Sequence, residues 1–269
     1  MASLTSQARA TGNTWLDRLT RAGLAGYGVI HLLFAYLIVQ VAIGSAAADG
    51  DQSGALQRLA ARPWGATLIV ALVVGLVAMT AWQILEAATG HRDERGRHRL
   101  YERVVSGGRA AFYTYLGWTG VKVLKGKKTS TADLQEQASQ DLMVTSGGRL
   151  AVGLAGLVVV AIGVGLAIYG LTRKFEKHLM TGRMTAPARR ISRPLGVTGY
   201  TAKGVSYGIA GALLIVAAWR YDPDQARGLD AALRAMAHQP YGRWLLILTA
   251  LGFAAYGLFG LLQARYRKV

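Results

Sequence analysis

Six near-continuous apolar runs of ~20 residues each, the length needed to cross a hydrocarbon core, constrain this chain more than any motif in it. They run approximately from Ala22 to Gly44, Ala66 to Ala88, Val104 to Leu124, Leu150 to Thr172, Gly196 to Trp219 and Gly242 to Ala264. Lipid offers backbone groups no hydrogen bonds, so only helices and closed barrels cross it. The runs are long and rich in Ala and Leu rather than alternating, which selects helices. The expected fold is an all-α membrane protein with six transmembrane helices. Its third span is the most polar, with Arg109 at its start and Lys122 near its end. The lead Met1 to Arg21 is polar, and no small-residue cleavage pattern follows a short apolar region, so the first run reads as a retained span.

Composition removes several function classes. A net charge of +17 would suit nucleic acid if the cations formed one face, but they cluster between the apolar runs. The chain has no cysteine, which excludes a disulfide framework, a thiolate zinc or iron–sulfur site and a catalytic thiol. Cation placement also sets orientation. With Arg109 counted at the inner end of the third span, the two ends and the loops after spans two and four hold 19 Lys and Arg, against 10 in the other loops. Positive loops stay inside, so both termini are expected to be cytoplasmic and the protein a multi-pass protein of the cell membrane. The basic loops His91 to Arg103, with Arg97 and Arg99, and Arg173 to Arg193, with Arg189 and Arg190, read as topology signals that also touch anionic headgroups.

The chain repeats itself. Ala55 to Gly65 (ALQRLAARPWG) returns as Ala232 to Gly242 (ALRAMAHQPYG), and Ala132 to Gly148 supplies a weaker middle copy. Each copy lies on the outer side between two spans and has the spacing of a short amphipathic helix, with Leu56 and Leu59, or Leu233 and Met236, on one side. Gly23 to His31 aligns without a gap on Gly199 to Tyr207 and loosely on Arg109 to Tyr113, while Trp82, Tyr169 and Tyr256 end the even spans in equivalent places. Every copy enters and leaves from the inside, so the repeats are parallel and their symmetry axis runs along the membrane normal. The architecture expected is three helical hairpins in a pseudo-threefold bundle, each with a short outer interfacial helix.

The stretch Gly199 to Tyr207, the stretch Gly54 to Gly65 and the three hairpins with basic inner loops resemble the domain-of-unknown-function 1206 family. The resemblance covers nearly the whole chain; repeat two departs from it, lacking the Pro and carrying Ala110 where the pattern has Gly. It implies an integral membrane protein of three two-helix repeats and no established activity. The segments are then a lead 1–21, repeat one 22–90, a basic loop 91–103, repeat two 104–175, a basic loop 176–195, repeat three 196–264 and a tail 265–269.

An ionisable group inside a span costs roughly 2.5 to 3.5 kcal/mol at the helix centre, which makes it a functional candidate. Lys203, whose counterparts are Tyr27 and Arg109, is expected near the inner interface, where Lys203 and Arg109 could bind lipid phosphate or simply snorkel. Lys122 has Gln40 as counterpart, so two repeats set a polar group at one depth. Glu86 reads as an interfacial carboxylate paired with a cation. His31, whose counterparts are Tyr113 and Tyr207, reads as an aromatic hydrogen-bonding position, because neither Ala35 nor Tyr27 supplies a second metal or haem ligand. Gly204, Gly208 and Gly211 form a small-residue face for close helix packing. No P-loop, GxSxG elbow or HExxH motif is present, so no enzyme, metal or cofactor is expected. The leading expectation is a non-enzymatic accessory or scaffolding subunit or lipid-binding module. Its partners would be anionic membrane lipids or a larger membrane protein complex, and not nucleic acid. The alternative is a small transporter or channel with an axial path lined by Gln40, Lys122 and Lys203.

Overall fold

The apolar runs fold as helices in a computed structural model that describes residues 2–43, 56–57, 59–61, 63–89, 97–127 and 130–267. The long helices are α1 (Ala2–Ala42), α2 (Gly65–Thr89), α3 (Arg97–Leu124), α5 (Ser146–Leu171), α6 (Ala186–Arg220) and α8 (Gly242–Tyr266). The short α4 (Thr131–Met143) and α7 (Leu229–Ala237) precede α5 and α8. No strand forms among the described residues, where a lone bridge joins Leu179 to Arg267. Five helical stretches are long and apolar enough to cross a membrane: Arg21–Ala42, Gly65–Leu85, Ser146–Leu171, Ala186–Arg220 and Gly242–Tyr266. The expected third span does not join them. At 28 residues α3 is long enough, but its cationic first turns, Arg109 and Lys122 dilute its apolar character.

Two helices run past their apolar parts. Helix α1 begins at Ala2, within the polar lead. Helix α6 begins at Ala186, so Arg189, Arg190 and Arg193 of the expected loop stand on its first turns. Its start is chemically specified: the Thr185 hydroxyl accepts the Ala188 N–H at 3.4 Å, and Pro187 sits where no backbone donor is needed.

The repeat has a backbone cause at the corner before each copy's second long helix. A Cβ at Gly65 would overlap the Leu59 carbonyl, and one at Gly148 the Leu142 carbonyl; at Gly242 it would meet the Ala237 and Met236 carbonyls. In all three copies the outer segment turns into the next long helix so tightly that only glycine fits. The middle copy keeps this glycine although it lacks the proline.

Packing follows the repeat boundaries as much as the hairpins. The second helix of each repeat lies along the first helix of the next: α2 on α3, α5 on α6, and α8 back on α1. Within repeats one and three, α1 also packs on α2 and α6 on α8. Buried Phe34 and Ile38 of α1 meet Leu246, Ala250 and Phe253 of α8, and Ile30 of α1 joins Leu72 and Leu76 of α2 and Leu116 of α3. The row therefore reads α3, α2, α1, α8, α6, α5. Among the described residues α3 and α5, the pair expected to form hairpin two, share no packed face. A seam opens there, crossed at one end by α4, which packs on α5 and on the turn Pro223–Ala226.

Arginines fasten the helix ends. The Arg21 guanidinium donates to the Ala264 carbonyl at 3.1 Å and to that of Arg265 at 2.5 Å, capping α8 from α1. Arg149 of α5 donates to the Ala218 and Trp219 carbonyls at 3.1 Å and caps α6 in the same way. At the end where α4 and α7 lie, Arg227 binds Asp133 at 2.7 Å and Glu136 at 2.5 Å on α4, and Asp230 at 3.0 Å on α7. Burial works against the Arg227 charge, but its hydrogen bonds to Asp230, Glu136 and Asp133 outweigh that and hold its pKa above the ordinary arginine value.

Candidate functional site

The positions that the repeat makes equivalent meet inside the row. Lys203 on α6 is 5% exposed, its side chain enclosed by protein. Its Nζ donates to the Tyr27 hydroxyl at 2.6 Å and lies 3.2 Å from His31 Nε2, both on α1. The ammonium also sits 4.4 Å from the Tyr256 ring centroid, 4.9 Å from that of Tyr27 and 5.6 Å from that of Tyr207. Aromatic faces attract a cation through their quadrupole, by about 0.5–2 kcal/mol. Among the described residues Lys203 bonds these neutral groups and no carboxylate.

The histidine tautomer follows from its partners. The Tyr27 carbonyl, 2.8 Å from His31 Nδ1, can only accept, so Nδ1 carries the proton. Nε2 then presents a lone pair to Lys203. A second proton on the ring would set two positive charges 3.2 Å apart, a repulsion of about 5 kcal/mol at an effective dielectric near 20. The ring is therefore neutral, with Nε2 an acceptor for the Lys203 Nζ.

Further aromatic rings extend the cluster towards the amino-terminal part of α6. Tyr113 of α3 meets Tyr27 edge-on at 6.1 Å, Tyr200 meets Tyr256 at 5.1 Å, and Tyr169 of α5 meets Tyr200 at 4.9 Å. Arg109, exposed on α3, and Arg267, at the end of α8, lie within electrostatic reach of Tyr113, Tyr169 and Tyr200. Of the two residues expected as a lipid or anion pair, Lys203 lies within the cluster, while Arg109 is exposed on α3, within electrostatic reach of its tyrosines. The arrangement offers fixed O–H and N–H donors and cations to an anion. Among the described residues no group of acids and histidines could hold a metal.

The other expected residues stand elsewhere. Arg189 and Arg190 are exposed and, with Met184 and Ala186, line a depression of about 400 Å³ at the start of α6. Arg99 is half-buried near the start of α3, and the side chains of Arg97 and Glu86 lie outside the described residues. Lys122 and Gln40 are half-buried near the carboxyl ends of α3 and α1. Gly204 and Gly211 meet α5 as expected: a Cβ at Gly204 would lie 2.5 Å from the Gly163 carbonyl, and one at Gly211 2.6 Å from the Val160 nitrogen. Gly208 is different. Its backbone faces Gly163, but its own Cβ would meet nothing within 4 Å, so only its backbone belongs to the contact.

Tyr27, Tyr113, Tyr200, Tyr207 and Tyr256 are not among the expected site residues. Their signal is nevertheless present in the repeat, in which Tyr27 is equivalent to Lys203, and His31 to Tyr113 and Tyr207.

Comparison with known proteins agrees with the threefold repetition. A protein of Bacillus subtilis (strain 168) named "Uncharacterized protein YxxB" is 28% identical over 258 residues, covering 95% of this chain and 92% of its own. No solved structure matches. The model of the family described as Domain of Unknown Function (DUF1206) matches three times, over residues 22–90, 105–173 and 198–267, and the chain belongs to that family.

Proposed function

We propose that the protein crosses the cell membrane six times, α3 included, with both termini cytoplasmic, and acts as a non-enzymatic binding module for an oxyanion at Lys203. The observation that carries this reading is the Lys203 ammonium: 5% exposed, set among neutral partners, and without a carboxylate among the described residues. A buried charge is retained in a bundle at considerable cost unless something compensates it. An anion that accepts from Nζ and from the surrounding tyrosine hydroxyls would supply the missing charge, and the +17 chain attracts such a ligand. Arg109 and Arg267 at the rim would draw it inwards. Placing α3 in the membrane is supported by its packing along α2 through Gly117 and Gly120, which approach Leu76 and Val73.

A lipid headgroup and a free anion share this chemistry. Native mass spectrometry from nanodiscs of mixed anionic and zwitterionic lipid tests the first source, and titration with inorganic phosphate tests the second. Wild type and Lys203→Arg are expected to retain the anion, with at least a tenfold loss in Lys203→Gln. Equal retention of anionic and zwitterionic lipid, with no phosphate binding, would overturn the reading.

A further inference from the structure

The row of helices is closed by packed faces at each step except one. Among the described residues the break lies between α3 and α5. Its outer end is covered by α4, held by Arg227 to α7 and by the Tyr115 hydroxyl 3.0 Å from Thr131 Oγ1. Among the described residues no such element covers its inner end. There Arg109 stands on one side and half-buried Tyr169 on the other, within electrostatic reach of each other, and the cluster around Lys203 lies behind Tyr113. The α5 side of the break is apolar, with Leu154, Leu157, Val158 and Ile162 all at least 49% exposed.

We propose that this seam is the entrance and tail slot for an anionic amphiphile, its headgroup reaching Lys203 past Arg109 and Tyr113 while its chain lies between α3 and α5. The inference rests on the reading that Lys203 holds an anion, and it adds the class of ligand. Charge complementarity selects the occupant. A neutral lipid would fill the seam but leave the Lys203 ammonium as it stands, and a small aqueous anion would leave the apolar seam to bulk lipid. Only a molecule with both parts meets both features. Repeat two is where the sequence departs from the other copies, and the departure falls at the opening: Ala110 and Tyr113 flank Arg109 where repeats one and three carry Gly28 with His31 and Gly204 with Tyr207.

The test uses the full chain in nanodiscs of zwitterionic lipid, with hexadecanoate carrying a mid-chain diazirine and the matching hexadecanol as probes. Hexadecanoate is expected to label α3 and α5 at least fivefold more densely than the outward faces of α2 and α8. The preference should vanish with the alcohol probe and in Lys203→Gln, and survive in Lys203→Arg, which controls for folding. Even labelling of all long helices, while inorganic phosphate or hexanoate still binds in a Lys203-dependent manner, would overturn the seam and leave the anion site standing. Absence of Lys203-dependent binding for every probe would overturn both.

Discussion

Lys203 and Gly208 show what a single residue's neighbours add to its identity. A lysine a short way inside a span reads as a snorkelling side chain, because its stem is long enough to reach the interface. The partners that hold it inwards, Tyr27 and His31, are more than 170 positions away, and no local spacing reveals them. Removing the acceptor leaves the ammonium one hydrogen bond short, so His31→Phe is expected to cost about 1–3 kcal/mol of stability, read as a lower unfolding temperature in detergent. The glycines separate more sharply. Gly204→Ala would drive a methyl into the α5 backbone and is expected to cost about 1–3 kcal/mol. Gly208→Ala enters open space and relieves a helix of glycine's entropy, so it should be neutral or stabilising by about 0.5–1 kcal/mol. Equal losses in both variants, measured by thermal unfolding, would mean that the α5–α6 contact is wider than the two backbones.

The helices themselves are legible in the sequence, since apolar runs of membrane length leave few alternatives and the outer-corner glycines Gly65, Gly148 and Gly242 mark every copy. Their pairing is not. A repeat suggests that its own two helices pack together, yet which faces meet depends on side-chain relief that hydropathy does not encode, and α3 lies on α2 while leaving α5. The starts of α1 and α6 escape hydropathy for a related reason: a polar or charged segment ends the apolar run without ending the helix. The outer ion pairs make a prediction at this scale. Arg227 joins α4 to α7, and Asp230 keeps Arg234 at 2.7 Å as a second partner. Arg227→Ala is therefore expected to cost about 1–3 kcal/mol rather than to unfold the protein, with amide exchange rising over residues 131–143 and not over α8. Unchanged exchange across α4 would show that apolar contacts alone seat it, among them buried Ala132 and Met143.

At the scale of the whole molecule the chain lacks cysteine, so orientation is open to a direct measurement. Of single cysteines placed at exposed Ala138 on α4 and in the tail, a membrane-impermeant thiol reagent should reach the first in intact cells and the second only after permeabilisation. Labelling of both from one side would remove the six-span arrangement, because an odd number of crossings separates α4 from the carboxyl end. The clasp between Arg21 and the carbonyl end of α8 carries a further consequence, which concerns time and not geometry. Ribosomes deliver α1 first and α8 last, so the face of α1 that Phe253 and Leu246 finally cover stays bare through most of synthesis. A nascent chain halted after Arg220 should expose that face to insertion factors or to another copy's α8, and crosslinking of stalled chains would show the first helix exchanging neighbours only when the last one arrives.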